Sequence, residues 1–490
     1  MKKSYGRAWK LFLEQIEEKS SSQQQEYDNK LLHVNQFIFI YFVVQSRGAV
    51  CSIPSSAASS TMSLSHPPKT NTTREQFLQN MQKYFQSTTT GKGDIDLLAL
   101  TRPDCIDIYL DNNDYLHLSC DPRLIDDDAY QHSMKSVISK TEEISHRNLL
   151  DQKQHFSIPR QGSDNIMAGV FLQQACLQYQ VSDLLAKKIL GKESVYLAQS
   201  GYVANYDLLQ ALIIPAKTHI YIDTAAHESL WQGASRGIIH KIKHNSLDDL
   251  EQNLRRFGSG IIVVDSLYSA KGSIVDLIEL CNLKEQYNCM LIVDESHSIG
   301  LYGPHGCGLA SLGNVTDRID FITGSLAKAY CVRAGFIAGR AQEVLYVREK
   351  SSSSTFSSAL MNWDIQRLQR AINIIYNADK ERQRLMHIAT TVRHAAVTLE
   401  FDVEQTPLPS PILCLNAGPN LFSKKLQSYF ENVGISGAIF IPPATPLNRS
   451  MLRLTLHAGL SADDVSRIIN TLEFIAQHHR SDLPYTFLKH

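Results

Sequence analysis

Residues 321–329, Phe-Ile-Thr-Gly-Ser-Leu-Ala-Lys-Ala, place a lysine directly after a predicted strand. The apolar and β-branched residues that end at Thr323 are typical of a buried strand, and the Gly-Ser pair that follows is typical of a turn. Lys328 therefore lies close to the carboxyl end of a strand. Open α/β sheets bind their ligands at that end of the strands, so we expect Lys328 to face a ligand site.

A second apolar run, residues 290–293, ends in Asp294. An acid and a lysine at the ends of two buried strands suit pyridoxal phosphate (PLP). The lysine can form a Schiff base with the aldehyde of PLP, and the acid can keep the pyridine nitrogen protonated so that the ring accepts electrons. The sequence therefore predicts a PLP site in which Lys328 and Asp294 are catalytic.

Predicted strands and helices alternate from about residue 160 onward. The strands are residues 195–198, 218–222, 260–265, 290–294, 321–323 and 335–339. Strands joined by helical crossovers imply a mostly parallel, buried sheet, so we predict an α/β fold with helices on both faces of a central sheet. Helical patterns over 361–400, further strands and a last helix over 461–478 predict a smaller C-terminal α/β domain.

The predicted organisation has four parts: an N-terminal extension (1–75), an N-terminal segment of the small domain with a linker (76–160), a large PLP-binding domain (161–360) and the C-terminal small domain (361–490). The extension contains a Ser/Ala/Thr/Pro-rich stretch and one apolar run, residues 37–44. A membrane-spanning helix needs about 20 apolar residues, so we expect no stable membrane span. We expect this extension to be poorly ordered and to contribute no ligand.

Composition excludes several classes of partner. The 48 basic and 49 acidic side chains nearly cancel, which gives no field for nucleic acid or anionic lipid. The nine cysteines show neither a CxxC pair nor the spacing of metal ligands. We therefore expect reduced thiols in a cytoplasmic protein, and no metal site.

Several further side chains are candidates for binding PLP. The turn Ser200-Gly201-Tyr202 precedes a predicted helix and is a natural phosphate site, to which the hydroxyl of Ser325 can add. His227 follows a strand and can lie flat on the pyridine ring. His297, three residues after Asp294, and Ser269 can reach the phenolic oxygen of the ring, and we count His227 and His297 among the catalytic candidates.

These motifs, in this order, resemble the α-oxoamine synthases, PLP enzymes that join an amino acid to an acyl-CoA. The family's VDE-A-H-S-x-G-x-x-G-x-x-G-x-G run is similar to residues 293–308, and its G-T-x-S-K element is similar to residues 324–328. The N-x-Y-L-G-L element is matched by residues 113–118. The resemblance implies a PLP-dependent transferase of fold type I that works as a homodimer. It also implies that Arg453 and Asn113 bind the substrate carboxylate.

One branch is more similar still, the α-hydroxyketone/aminoketone autoinducer synthases, including the Legionella-type enzymes of quorum sensing. The similarity rests on residues 260–269, 294–298, 325–328 and 333–335, and it is nearly continuous over 195–340. It implies an amino-acid-type donor and a medium-chain or long-chain acyl-CoA. The alternative within the family is an enzyme of primary metabolism, of the 8-amino-7-oxononanoate or 2-amino-3-ketobutyrate type.

The chain departs from the family pattern at three places. Ala327 replaces the usual serine before the lysine, and Cys331-Val332-Arg333 replaces the usual glycine pair. The upstream Gly-Thr…His element, which often serves the acyl substrate, has no clear match in residues 159–164. These departures leave the PLP chemistry better supported than the substrate.

The resemblance also implies a mechanism. An amino substrate displaces Lys328, and the freed amine removes the α-proton. The carbanion, delocalised into a ring that Asp294 keeps protonated, attacks the acyl-CoA thioester, CoA leaves as the thiol, and loss of carboxylate yields an α-aminoketone.

Two unrelated classes share parts of the same segment. Residues 294–297 have the DExH pattern of a helicase, but the chain lacks the GxxxxGK[ST] loop that such an enzyme needs. Residues 296–300 approach the GxSxG elbow of an α/β-hydrolase, although Ser296 occupies the place of the first glycine.

Overall fold

The computed structural model describes residues 76–82, 103, 105–125, 168–169, 177–442 and 444–488. Nearly all of them belong to one compact unit that runs from Met81 to His490. The predictions for residues 1–75 and for the segment 159–164 lie outside the described residues, as does most of 76–160. Among the described residues, no helix combines the length and the apolar character needed to cross a membrane.

A seven-stranded sheet forms the centre of this unit. Its strands are β2 (Ser194–Ala198), β3 (His219–Asp223), β4 (Ile238–Ile242), β5 (Ile261–Asp265), β6 (Met290–Asp294), β7 (Phe321–Ser325) and β8 (Gly335–Gly339). They lie in the order β2-β8-β7-β6-β5-β3-β4. The five strands from β7 to β4 are parallel, and β8 is antiparallel to both of its neighbours. The prediction of a mostly parallel sheet is confirmed.

Helices cover both faces of the central sheet, because its strands are buried on both sides. In β5, Ile262 and Val264 pack into one apolar cluster, whereas Ile261 and Val263 pack into the other. The helices up to the end of this sheet are α1 (Pro122–Ile125), α2 (Leu177–Leu185), α3 (Gly201–Leu212), α4 (Glu228–Ala234), α5 (Leu247–Phe257), α6 (Leu277–Gln286), α7 (Leu309–Leu312) and α8 (Ala341–Lys350).

Side-chain caps start several of these helices. The hydroxyl of Ser246 accepts a hydrogen bond from the Asp249 amide at the start of α5, and the carboxylate of Asp276 accepts from two amides at the start of α6. Such caps satisfy N–H groups that have no partner inside the helix. They fix where each crossover leaves its strand, and so they set the strand ends that surround the site.

A second sheet has four strands in the order β1-β10-β11-β9. They are β1 (Ile108–Leu110), β9 (Ile412–Gly418), β10 (Ile435–Phe440) and β11 (Ser450–Thr455). The remaining helices are α9 (Ser352–Phe356), α10 (Asn362–Tyr376), α11 (Asp379–Thr398), α12 (Asn420–Glu431) and α13 (Ala462–His478). The expected C-terminal α/β part is present, and a strand from before residue 160 joins its sheet. The division into four parts, with its three boundaries, stays a prediction.

Candidate active site

A cavity of about 210 Å³ lies at the carboxyl ends of the central strands. Each residue predicted to bind PLP lines this cavity: Ser200, Gly201, Tyr202, His227, Ser269, Asp294, His297, Ser325 and Lys328. Four residues that sequence reasoning did not single out line it as well: Asn205, Asp265, Leu267 and Ser296. The predicted substrate residues Asn113 and Arg453 lie beside it, because Arg453 bonds to Ser269.

Lys328 extends from a closed loop between β7 and β8. The Leu326 amide donates to the Ala334 carbonyl (2.8 Å), and the Val332 amide donates to the Leu326 carbonyl (3.0 Å). Burial lowers the pKa of Lys328, while Asp294 and Asp265 oppose that shift. Among the described residues, no carboxylate forms an ion pair with this lysine. Its amine is therefore free, and it is neutral more readily than an exposed lysine amine.

Asp294, the last residue of β6, is held by two donors. The side-chain amide of Asn205 donates to one carboxylate oxygen (2.6 Å), and the amide of Ser296 donates to the other (2.7 Å). Thr323 in turn donates its hydroxyl hydrogen to the carbonyl oxygen of Asn205 (2.5 Å). These bonds fix the direction of the carboxylate. Asn205 could have been noticed in the sequence as a polar residue inside the otherwise apolar start of α3.

The turn before α3 forms a tight pocket wall at the end of β7. Ser200 caps the helix by accepting a hydrogen bond from the Val203 amide (3.2 Å). A Cβ atom on Gly201 would lie 2.6 Å from the Cβ atom of Ser325, and one on Gly335 would lie 2.2 Å from the Ser200 carbonyl. No side chain fits at either glycine. Gly201 and Tyr202, the first residues of a 12-residue helix, line the cavity, and a helix N-terminus in this position can bind an anion such as phosphate.

His227 stands at the start of α4. Its Nδ1 atom lies 2.7 Å from the Ser229 hydroxyl, and its ring meets the Tyr202 ring edge-on at 6.4 Å. Burial lowers the pKa of His227, Asp294 raises it and Lys328 lowers it. A ring that is mainly neutral at pH 7 has an apolar face, which suits contact with another aromatic ring.

His297 is oriented by a tyrosine from the N-terminal segment. The hydroxyl of Tyr115 lies 2.6 Å from the Nδ1 atom of His297, and both side chains are buried. Burial raises the pKa of Tyr115 and holds the pKa of His297 well below its usual value. Tyr115 therefore donates to Nδ1, and the histidine carries its own proton on Nε2. Sequence reasoning placed Tyr115 in a motif but gave it no role.

Arg453 is a buried cation from the second sheet. Its Nη1 group donates to the Ser269 carbonyl (2.9 Å), its Nη2 group donates to the Asn113 side-chain oxygen (3.3 Å), and its Nε group is buried without a partner. No carboxylate of the described residues forms an ion pair with it. Because a buried charge is costly unless it is paired, this guanidinium is suited to a ligand that brings its own carboxylate.

Together these observations fit PLP. The turn before α3 suits the phosphate, Lys328 suits the aldehyde, and the fixed carboxylate of Asp294 suits a protonated ring nitrogen. In the hydrolase pattern the nucleophile position is Ser298. Its side chain is fully buried, donates to the Glu295 carbonyl (3.2 Å) and lies 2.7 Å from the Ser266 hydroxyl, so it is not exposed to the cavity as a hydrolase nucleophile would be.

Known proteins with similar sequences support the same assignment. The CAI-1 autoinducer synthase of Vibrio campbellii is 34% identical over 338 residues, which cover 68% of this chain and 84% of that protein. An 8-amino-7-oxononanoate synthase of Acidithiobacillus ferrooxidans is 30% identical over 58% of this chain and 73% of its own length. A serine palmitoyltransferase of Sphingobacterium spiritivorum is 27% identical over 58% of this chain and 72% of its own length.

Solved structures agree on the fold. The serine palmitoyltransferase of Sphingomonas wittichii superposes with a TM-score of 0.69 at 20% identity, covering 84% of this chain and 100% of that one. The 8-amino-7-oxononanoate synthase of Francisella tularensis superposes with a TM-score of 0.60 at 19% identity, covering 76% and 98%. Residues 167–472 match the family described as aminotransferase class I and II. The chain therefore belongs to this family of PLP-dependent enzymes, among its acyl-transferring α-oxoamine synthases.

Proposed function

We propose that this enzyme condenses an amino-acid-type donor with a medium-chain or long-chain acyl-CoA. The product is an α-aminoketone, or the precursor of an α-hydroxyketone, that serves as a quorum-sensing autoinducer. The observation that carries the proposal is Arg453, a buried guanidinium that pairs with no carboxylate among the described residues and lies beside the cavity that contains Lys328 and Asp294. The similarity to the CAI-1 autoinducer synthase supports the nature of the product.

The residues that would hold PLP are those that line the cavity. When bound, PLP supplies an aldehyde for an amine and a ring that stabilises negative charge at the neighbouring carbon. Ser200-Gly201-Tyr202 and Ser325 would bind its phosphate, and His227 would lie against its ring. Asp294 would pair with the ring nitrogen, while Ser269 and His297 would face the phenolic oxygen.

Lys328 would act as the base of the reaction. Its amine has a lowered pKa because burial disfavours the ammonium form. Once an amino donor has displaced it, the Nζ atom would take the α-proton of the donor and hold it as an ammonium. The low polarity that lowers the lysine pKa also strengthens its attraction to Asp294, which opposes complete loss of the charge.

Arg453 and Asn113 would bind the donor carboxylate. The two terminal NH2 groups of the Arg453 guanidinium already donate to Ser269 and Asn113, so the side chain is oriented before the donor arrives. A guanidinium and a carboxylate form a charge-assisted pair, roughly twice as strong as a hydrogen bond between neutral groups. This contact would align the donor and leave its α-carbon facing Lys328.

We further propose that the enzyme is a homodimer. Aromatic side chains are exposed on α3, which begins at the phosphate turn, and on α9 and α10: Tyr202 46%, Tyr206 40%, Phe356 83% and Trp363 63%. Helices α3 and α9 are in contact, so Tyr202, Tyr206 and Phe356 lie on neighbouring elements, and Trp363 lies near the start of α10, the next helix in the chain. Sedimentation of the chain should give the mass of a dimer, and Trp363→Asp should weaken it. Phe474→Asp on α13 is the matched control and should leave the mass unchanged, whereas a monomeric unaltered chain would contradict the proposal.

The substrate is tested by incubating the purified enzyme and PLP with amino acids and an acyl-CoA series, followed by mass spectrometry of the ketones. Each buried CH₂ contributes about 0.8 kcal/mol, so affinity should rise about fourfold per carbon until the pocket is full. A preference for acetyl-CoA over decanoyl-CoA would contradict the proposal and favour the 2-amino-3-ketobutyrate type. The 30% identical relative makes 8-amino-7-oxononanoate a product to look for, because formation of that product alone would favour the 8-amino-7-oxononanoate type.

A further inference from the structure

Three neighbouring strands of the central sheet each end in an aspartate. Asp223 ends β3, Asp265 ends β5 and Asp294 ends β6, and these strands are adjacent in the sheet. Asp265 is directly paired in register with Asp294. All three side chains are buried. The edge of the sheet that faces the cavity therefore brings three acids close together, with Asp265 in the middle.

The two outer aspartates are fully hydrogen-bonded. Asp223 accepts from the amides of Ala225 (2.7 Å) and Asn245 (2.8 Å), and it lies 2.9 Å from the Nδ1 atom of His244. Although burial raises the pKa of Asp223, these contacts hold it below its usual value. Asp294 accepts from an amide at each oxygen, as described above. Both environments suit a carboxylate.

Asp265 differs from both of its neighbours. It lines the cavity, yet both of its oxygens are shielded from solvent and neither has a hydrogen-bond partner among the described residues. The charged groups that act on it are Asp294, Lys328 and Asp223. The His227 amide opposes the rise in its pKa only weakly, because its geometry falls short of a hydrogen bond, and the Tyr268 hydroxyl also interacts with it. Burial, then Asp294, raises its pKa well above the usual value, and Lys328 opposes this shift. An ionised carboxylate without donors, beside a second carboxylate, is the costlier state.

We propose that Asp265 keeps a proton at neutral pH and acts as a positioning residue, through its effect on the charges of Asp294 and Lys328. The Asp265–Asp294 pair then carries a single negative charge, located on Asp294. This inference deepens the proposed function, on which it rests for the identity of the ligand. It leaves Asp294 as the one anionic carboxylate of the pair that would face the ring nitrogen.

The proposal has a consequence for Lys328. While Asp265 is protonated, it contributes no charge that would stabilise the lysine ammonium. When alkaline pH removes the proton from Asp265, a second anion appears in the cavity and raises the pKa of Lys328. Retaining the proton therefore helps to keep a neutral amine available at Lys328 over the neutral pH range.

The first measurement is infrared spectroscopy of the full chain, with and without PLP, in which a protonated carboxyl group has its own carbonyl stretch. At pH 7 the difference between the unaltered chain and Asp265→Asn should contain this band, and the band should survive in Glu295→Gln, which removes the other buried acid with a raised pKa. A pH titration of the unaltered chain should abolish the band only on the alkaline side. Because this titration uses the unaltered chain, its result does not depend on whether a variant folds.

The second measurement is the pKa of Lys328 in the PLP-free chain, from the pH dependence of its chemical modification. Asp265→Asn should leave the pKa of Lys328 nearly unchanged, because Asp265 is already uncharged. Asp294→Asn should lower the pKa of Lys328 by about one unit, because it removes an anion. If Asp265→Asn lowers it by a similar amount and the infrared band is absent, Asp265 is an ionised partner of Lys328 and the inference is wrong. Neither readout uses substrate, so a chain that makes no aminoketone but shows the band would overturn the proposed function alone.

Discussion

At the cofactor end of the cavity, the side chains come from the ends of neighbouring strands in one sheet, whereas the Arg453 end draws on two sheets. Asp294 and Lys328 follow β6 and β7, which are hydrogen-bonded to each other. Arg453 lies in β11 of the smaller sheet, and it reaches Asn113 and the Ser269 carbonyl across 340 and 184 positions of sequence. The first end is fixed by local strand geometry, and the second depends on how two sheets meet.

Substitutions at the two ends of the cavity should therefore have different effects on the enzyme. A substitution at the cofactor end should abolish chemistry with every substrate, because each reaction passes through the same lysine and ring. A substitution at the Arg453 end should change how the amino donor binds and leave the cofactor in place. The following predictions, from the largest effect to the smallest, test that division.

Lys328→Ala should have the largest effect. It removes both the amine that bonds to PLP and the base, so turnover should fall by at least about 10⁴-fold. Visible absorption that borohydride abolishes should be absent, and circular dichroism should show an unchanged fold. Persistence of that absorption together with normal product would mean that another lysine does the work.

Asp294→Asn should reduce turnover by about 10²–10⁴-fold even when PLP stays bound, because the ring nitrogen loses the charge that keeps it protonated. Steady-state kinetics at saturating PLP give the measurement. A loss smaller than about tenfold would count against the pairing of Asp294 with the ring.

Arg453→Gln should act on the donor alone. A charge-assisted hydrogen bond contributes about 1.5–3 kcal/mol, so kcat/KM for the amino donor should fall by about 10–100-fold. The absorption of bound PLP and the KM for acyl-CoA should stay unchanged. Asn113→Ala is the matched variant and should cost less, because it removes a neutral partner. Loss of PLP from Arg453→Gln would show that the two ends are not separable.

Tyr115→Phe removes only the hydrogen bond to His297 and should lower turnover by roughly fivefold, the value of one neutral hydrogen bond. The sensitive readout is the pH–rate profile, because His297 is then free to exchange its tautomers. If Tyr115→Phe leaves both rate and profile unchanged, the position of His297 does not depend on that bond.

Glu295→Gln should change stability rather than chemistry. The carboxyl group of Glu295 is buried, and burial raises its pKa to about 7. It accepts a hydrogen bond from the Ala310 amide (2.6 Å). A raised folded-state pKa means that the folded chain binds the proton more tightly. That stabilisation is complete below about pH 4.5 and is lost as pH rises towards 7, by roughly 3 kcal/mol at most. Denaturation at pH 5 and pH 8 should show this loss in the unaltered chain and not in Glu295→Gln.

The sequence predicted the cofactor end more completely than the rest, for a physical reason. Residues such as Asp294, His297 and Lys328 sit at fixed offsets from strand ends, so a linear pattern carries their positions. Tyr115 and Asn205 support them from 182 and 89 residues away, and only the folded chain brings them close. Asp265 lies at a strand end that the sequence did identify, but its lack of donors is a property of three dimensions.

Three strands were also missed, β1, β4 and β10, and the surroundings of the first two explain why. Strand β4 is an edge strand whose residues are mostly not buried, and the sequence Ile-Ile-His-Lys-Ile lacks the continuous apolar run of a central strand. Strand β1 has three residues and obtains its partner, β10, from more than 300 positions away. Short or exposed strands depend on neighbours rather than on their own pattern.

The closed loop that carries Lys328 affects which step of the catalytic cycle is slowest. Hydrogen bonds tie Leu326 to Ala334 and to Val332, so the backbone on both sides of the lysine is fixed. A substrate that displaces the amine therefore has to move only a side chain, which rotates in picoseconds to nanoseconds, and not a loop, which takes up to microseconds. When the product leaves, the amine is already next to the place that it must reoccupy. We expect the return of the Lys328 amine to its starting position to be fast, and release of the hydrophobic product to be the rate-limiting step.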